Sequence, residues 1–159
     1  MRILGSLILA LLLTGCATTS EINILDESSF KSSFSIDQIE VENSTGQEFD
    51  IDIENMLTES LTVELDAQEL SNRNGKPYSL SVAIIQYSKG NAFGRWLMPG
   101  VGKTILSVEA NIIDDQGVTI AESQATRSIG AGGGYTIGAW KQVFADVAQS
   151  LILDLVSAK

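Results

Sequence analysis

The stretch Thr104 to Ile113 alternates in polarity, with Leu106, Val108, Ala110 and Ile112 in one phase and Ser107, Glu109 and Asn111 in the other. Successive side chains of an extended chain point to opposite faces, so this is a strand with one apolar face. Asp114-Asp115-Gln116-Gly117 follows, with glycine where a hairpin turn needs positive φ. Val118 to Ser128 reads as the returning strand. A hairpin with one apolar face needs further strands beside it and a layer over it, which narrows the chain to sheet-based architectures.

The rest of the sequence offers both. Tyr78 to Tyr87 reads as a largely buried strand. Phe34 to Val41 reads as another, with Ile36 and Ile39 out of phase and a bulge expected near Asp37-Gln38. Thr45-Gly46-Gln47-Glu48 has the form of a capping box and predicts a helix start. The helix would carry Phe49, Ile53, Met56, Leu57, Leu61, Val63 and Leu70 on its apolar stripe, and stop at Gly75 and Pro77. A final helix is expected over Ala139 to Val156, with Trp140, Val143, Phe144, Val147, Leu151 and Leu155 inward. The expected fold is a two-layer α/β (α+β) sandwich: about four strands, mixed or antiparallel, with two helices on one face, in the order β-α-β-β-β-α. No repeat of solenoid or propeller period is present.

Composition removes whole classes of function. The chain has 159 residues, no histidine and one cysteine. Without imidazole there is no Ser-His-Asp or Cys-His arrangement and no histidine-ligated zinc. A formal charge of −10 argues against nucleic acid as a partner. From Glu21 to Glu69 fourteen acids face one base, Lys31; from Leu70 onward eight bases face six acids. The acidic half reads as a solvated face or as a docking surface for a basic partner.

The start of the chain is an address. Arg2 precedes an apolar run, Ile3 to Leu13, about half the ~20 residues that a membrane span needs. Leu13-Thr14-Gly15-Cys16 resembles a lipobox, the processing motif of bacterial lipoproteins. The resemblance implies cleavage before Cys16, a diacylglyceryl group on its sulfur and acylation of the new amino terminus. Each buried CH₂ contributes about 0.8 kcal/mol, and two or more chains give stable attachment. The competing reading is a secreted protein cut near Ala17. Ala17 rather than Asp after the cysteine implies sorting to the outer membrane, facing the periplasm, in a Gram-negative source. The expected organisation is a signal peptide over 1–15, a lipidated tether over 16–34 rich in Ser and Thr, and one domain over 35–159. Ile22, Ile24 and Leu25 leave room for a short edge strand in the tether.

A lipobox, a short tether and the run Val108 to Gly117, followed by a Gly-rich segment and an Ala/Leu-rich terminal helix, resemble small Gram-negative α/β lipoproteins. The likeness is to uncharacterised families of the YajG kind and, more distantly, to the amino-terminal domain of TolB and to CsgG. It spans about residues 34–157 and carries no catalytic signature. Such families act mostly through assembly or partner binding.

Other motifs fall short. Gly100-Val101-Gly102-Lys103-Thr104 resembles the end of a phosphate loop, but Leu97 stands where its first glycine belongs and a strand follows. No nucleotide partner is expected. Ile129 to Gly138 is glycine-rich but fails the dinucleotide spacing, and reads as a flexible connection or a mobile partner loop. Asp50-Ile51-Asp52-Ile53-Glu54 lacks the glycine and the final acid of a calcium loop. No metal or cofactor is expected. The segment around Phe93, Arg95, Trp96, Leu97 and Met98 is apolar for a connection between strands. Either it folds onto the core, or it presents anchors to a partner or a membrane surface.

The expected function is a non-enzymatic, membrane-anchored lipoprotein, an adaptor or accessory subunit of an envelope assembly that binds an as yet unidentified envelope protein. A small-ligand or lipid carrier is the alternative. An enzyme using Asp/Glu or Ser-Lys chemistry is the weakest reading, since no Gly-x-Ser-x-Gly motif is present.

Overall fold

The computed structural model describes residues 18–30, 34–71, 75–97, 101–130 and 138–158. In chain order the elements are β1 (Thr18–Ile24), α1 (Glu27–Phe30), β2 (Phe34–Asn43), α2 (Ile53–Ala67), β3 (Lys76–Ser88), α3 (Ala92–Leu97), β4 (Thr104–Ile113), β5 (Thr119–Ile129) and α4 (Ala139–Ala158). Among the described residues five strands make one sheet, ordered β1-β5-β4-β3-β2. β2 and β3 run parallel and the other neighbours antiparallel. The parallel pair follows from α2, because two successive parallel strands need a crossover longer than a hairpin. α2 and α4 pack on one face and against each other, giving the two-layer α/β sandwich.

The apolar face of β4 appears as read, with Leu106, Val108, Ala110 and Ile112 buried and Glu109 exposed, but Ser107, expected outward, is buried too, its Oγ accepting from Thr126 Oγ1 at 2.9 Å. The apolar residues meet Leu80, Val82 and Ile84 from β3 and Val143, Phe144, Val147 and Leu151 from α4 in one core. Asp114 holds the hairpin turn by accepting at Oδ1 from the N–H groups of Gln116 and Val118, at 2.9 and 2.8 Å. Gly117 takes φ 82, which a side chain would resist. The bulge expected near Asp37-Gln38 is a register shift between Ile36 and Gln38.

Four local expectations are corrected. There are five strands rather than about four, because residues assigned to a tether pair along β5 as β1, Ile22 opposite Ser123 and Ile24 opposite Ala121. Ser and Thr content reads as linker, yet those residues are compatible with an edge strand whose polar side chains face water. α1 follows, capped by Asp26, and closes the core with fully buried Phe30. α2 starts at Asp52, not Thr45: Asp52 Oδ1 accepts from Asn55 N–H at 2.9 Å. Thr45 instead accepts from Gln47 N–H, in a turn built on Asn43. The buried stripe of α2 is Ile53, Leu57, Leu61 and Leu65, while Val63 is exposed. Val63 stands two residues from Leu61, about 200° round the helix, and so lies on the outer face. α2 also stops before Gly75, with Glu69 in the left-handed region at φ 58 and Leu70 N–H bonded to Leu65 O.

Candidate functional site

The connection between β3 and β4 is closed by a stitch. Asn91 N–H donates to Gly102 O at 3.0 Å, and Thr104 Oγ1 donates to Lys89 O at 2.9 Å. Gly90 sits at φ 66, and a Cβ there would lie 2.6 Å from Gly102 O and Lys103 O, so only glycine fits. Asn91 Oδ1 then accepts from Phe93 N–H at 2.9 Å and starts α3. Phe93 and Leu97, four residues apart, share one side of this short turn of helix. They are 64% and 58% exposed, and Val101 beyond them 47%. The stitch makes a firm base, and Phe93, Leu97 and Val101 form an exposed apolar ledge on it.

The base is braced from three sides. Lys89 Nζ lies 2.8 Å from Asp50 Oδ2 and 5.0 Å from the Trp140 ring, tying the β2–α2 connection and the start of α4 to the loop. The Lys89 ammonium, by hydrogen bond and charge, holds the Asp50 carboxyl below the usual carboxylate range. Beneath them Tyr87 packs edge-on to Phe49 at 5.0 Å and against Phe144 at 5.4 Å. Burial, with Asp50 nearby, pushes the Tyr87 phenol up to about 12, so it stays neutral. A half-buried ion pair, Arg127 Nε to Asp146 Oδ2 at 2.7 Å, fastens α4 to β5 at the same end.

Strand register places one more feature here. Tyr87 pairs with Leu106, Leu106 with Arg127, and Arg127 with Thr18. Thr18, the first described residue, therefore stands in the row from which the ledge connection departs.

Elsewhere the surface offers less. A cleft of about 490 Å³ lies between β2 and the end of α2, lined by Ile36, Ile39 and Leu65 with Asp37, Thr62 and Asp66. It opens to solvent. Among the described residues no group of three metal-ligating side chains occurs, and no helix is long and apolar enough to cross a membrane. A Ser-x-x-Lys spacing occurs at Ser28 to Lys31, but Ser28 Oγ donates to Asp26 Oδ1 at 2.7 Å as part of the α1 cap.

Of the residues singled out from sequence, Phe93 and Leu97 stand on the ledge. Leu13, Thr14, Gly15, Cys16 and Met98 lie outside the described residues, as do the side chains of Arg95 and Trp96 and most of the glycine-rich run before α4. Sequence reading missed Val101 and the Gly90-Asn91 stitch. Asn91 two residues before Phe93 was the available signal, as an Asn that starts a helical turn.

No curated protein matches the chain. Among solved structures it is similar to PelC from Paraburkholderia phytofirmans, recorded as a dodecamer in space groups C2 and P6. Identity is 16%, coverage is 85% of this chain and 97% of that one, and the TM-score is 0.52. A protein of Xanthomonas campestris, XCC0632, of the DUF330 family model, aligns over 77% of this chain and 74% of its own at 12% identity and TM-score 0.45. The family model described as Domain of unknown function (DUF4410) matches residues 18–133, and the chain belongs to that family.

Proposed function

We propose that this chain is a lipid-anchored protein of the periplasmic face of the outer membrane, held through Cys16. In this reading it works by contact, without catalysis, as an adaptor or accessory subunit of an envelope assembly. The observation that carries the reading is the ledge. Phe93, Leu97 and Val101 are exposed on a connection whose base is fixed by hydrogen bonds and by a glycine that nothing else replaces. An apolar projection on a fixed base is suited to binding, because the base itself need not be ordered when the projection is covered. The assembly element draws support from PelC, a protein of the same fold recorded as a dodecamer. The finer likeness to YajG-type lipoproteins, and distantly to TolB and CsgG domains, belongs to the same proposal and rests on the lipobox and the β4–β5 hairpin. The carrier reading draws less support, since ligand sites are enclosed and mostly apolar, and the β2–α2 cleft is open with two carboxylates on it.

The test is cross-linking in intact envelopes, followed by purification and mass spectrometry. A discrete partner or an oligomer ladder is expected. A chain recovered only as an uncross-linked monomer contradicts the assembly reading. Cys16→Ser should release the processed protein from the membrane fraction.

A further inference from the structure

We propose that the ledge of Phe93, Leu97 and Val101 is seated on the phospholipid bilayer, as a second membrane contact beside the lipid anchor. The inference rests on the anchoring of Cys16 proposed above, and it names what the ledge meets.

The argument is one of reach. Cys16 is two residues from Thr18, and covalent geometry limits that span to about 7 Å. Thr18 is no longer part of a slack tether: it is hydrogen-bonded into the sheet as the start of β1, opposite Arg127. The acyl chains therefore hold this particular end of the sheet at the bilayer. β4 and β3, which carry the ledge, lie two and three strands from β1 in the sheet order. At 4.7–4.9 Å per strand, that is about 10–15 Å sideways. The ledge thus projects from the tethered end, beyond the row Tyr87-Leu106-Arg127-Thr18.

Charge at this end is mixed and does not decide the orientation. The end carries Lys89, Lys103 and Lys141, with Lys89 paired to Asp50, and also the β2–α2 connection with exposed Glu48 and Asp52. The opposite end carries Asp114 and Asp115 at the hairpin, Asp26 and Glu27 at the start of α1, and exposed Lys76 at the start of β3. Val118 marks the far end: it is apolar and 55% exposed, but stands at the β4–β5 turn.

The sequence supplies a clean probe. Cys16 is the one cysteine and its sulfur is taken by lipid, so Phe93→Cys, Leu97→Cys and Val118→Cys each give a single free thiol. The full lipidated protein, carrying a nitroxide at each position in turn, is placed in vesicles of phosphatidylethanolamine and phosphatidylglycerol. Collisions with oxygen, which partitions into lipid, are compared with collisions with an aqueous nickel chelate. All three positions are exposed, and circular dichroism checks that each variant is folded. Labels at 93 and 97 are expected to favour oxygen several-fold more than the label at 118. Labels at 93 and 97 that match 118 overturn the proposal while leaving the anchor in place. Labels shielded from both quenchers also overturn it, and assign the ledge to a second copy or a protein partner. Absence of fatty acid on Cys16 removes the anchoring reading, and the reach argument falls with it.

Discussion

Val108 tests the packing of the central hairpin. It is 1% exposed, on a middle strand, paired with Ile84 on one side and Ala125 on the other. In Val108→Asp the carboxyl must be neutral in the folded chain. Holding it protonated at pH 7 against an unfolded pKa of about 3.9 costs about 4 kcal/mol, at 1.36 kcal/mol per unit. Losing the buried valine adds about 2 kcal/mol. The total, about 6 kcal/mol, is comparable with the whole stability of a domain this size. The carboxyl's folded pKa is raised, so the penalty is small below its unfolded pKa and grows as pH rises through it. Glu109, one residue on, is exposed and opposes Ala83 and Gln124. Glu109→Lys should change stability by at most about 0.5 kcal/mol. Urea unfolding followed by circular dichroism at pH 4 and pH 7, on the Cys16→Ser background, measures both. Equal losses at 108 and 109, or a Val108→Asp penalty unchanged between the two pH values, would refute the strand phase.

Asp52→Ala should destabilise by about 1 kcal/mol in urea melts through loss of the α2 cap, whereas Thr45→Ala should leave α2 intact. Gly90→Ala forces a side chain into φ 66 and against Gly102 O and Lys103 O. It should loosen the ledge, read as faster hydrogen exchange over 89–104, and a protected loop would contradict the stitch. Hydrogen bonds from Ser29 and Ser28 lower the Asp26 carboxyl from 3.8 to about 2. Their contribution is present above pH 3.8 and lost as pH falls toward 2. Carboxyl NMR titration should place Asp26 near 2 and return it toward 3.8 in the Ser28→Ala, Ser29→Ala double variant.

The legible parts of this sequence are those where burial and period agree. β4 alternates because one face meets α4, and Asp114 and Gly117 mark its turn, so strand, phase and hairpin could all be read. The α2 stripe was legible at Ile53, Leu57 and Leu61, but its start was not: Thr45 to Glu48 satisfies the capping-box pattern, and Asp52 satisfies the capping geometry. Side-chain oxygens at both sites can accept from a backbone N–H, and the packing of Ile53 decides between them. β1 was only half legible: Ile22, Ile24 and Leu25 left room for an edge strand, but the segment as a whole was assigned to a tether. An edge strand with water on one side needs few apolar residues, so Thr18 to Ile24 resembles linker until β5 is seen beside it. The ledge was half legible. Its apolar residues stand out in sequence, but whether they face in or out depends on the Asn91–Gly102 closure, which joins residues eleven apart.

The central claim is that lipid on Cys16 sets this domain against a membrane. It is tested most directly by mass spectrometry of the amino-terminal peptide from membrane-purified protein. The account predicts a peptide beginning at Cys16 and carrying diacylglycerol, with acylation of its amino group. A peptide beginning near Ala17, or one with an unmodified Cys16 thiol, would contradict it.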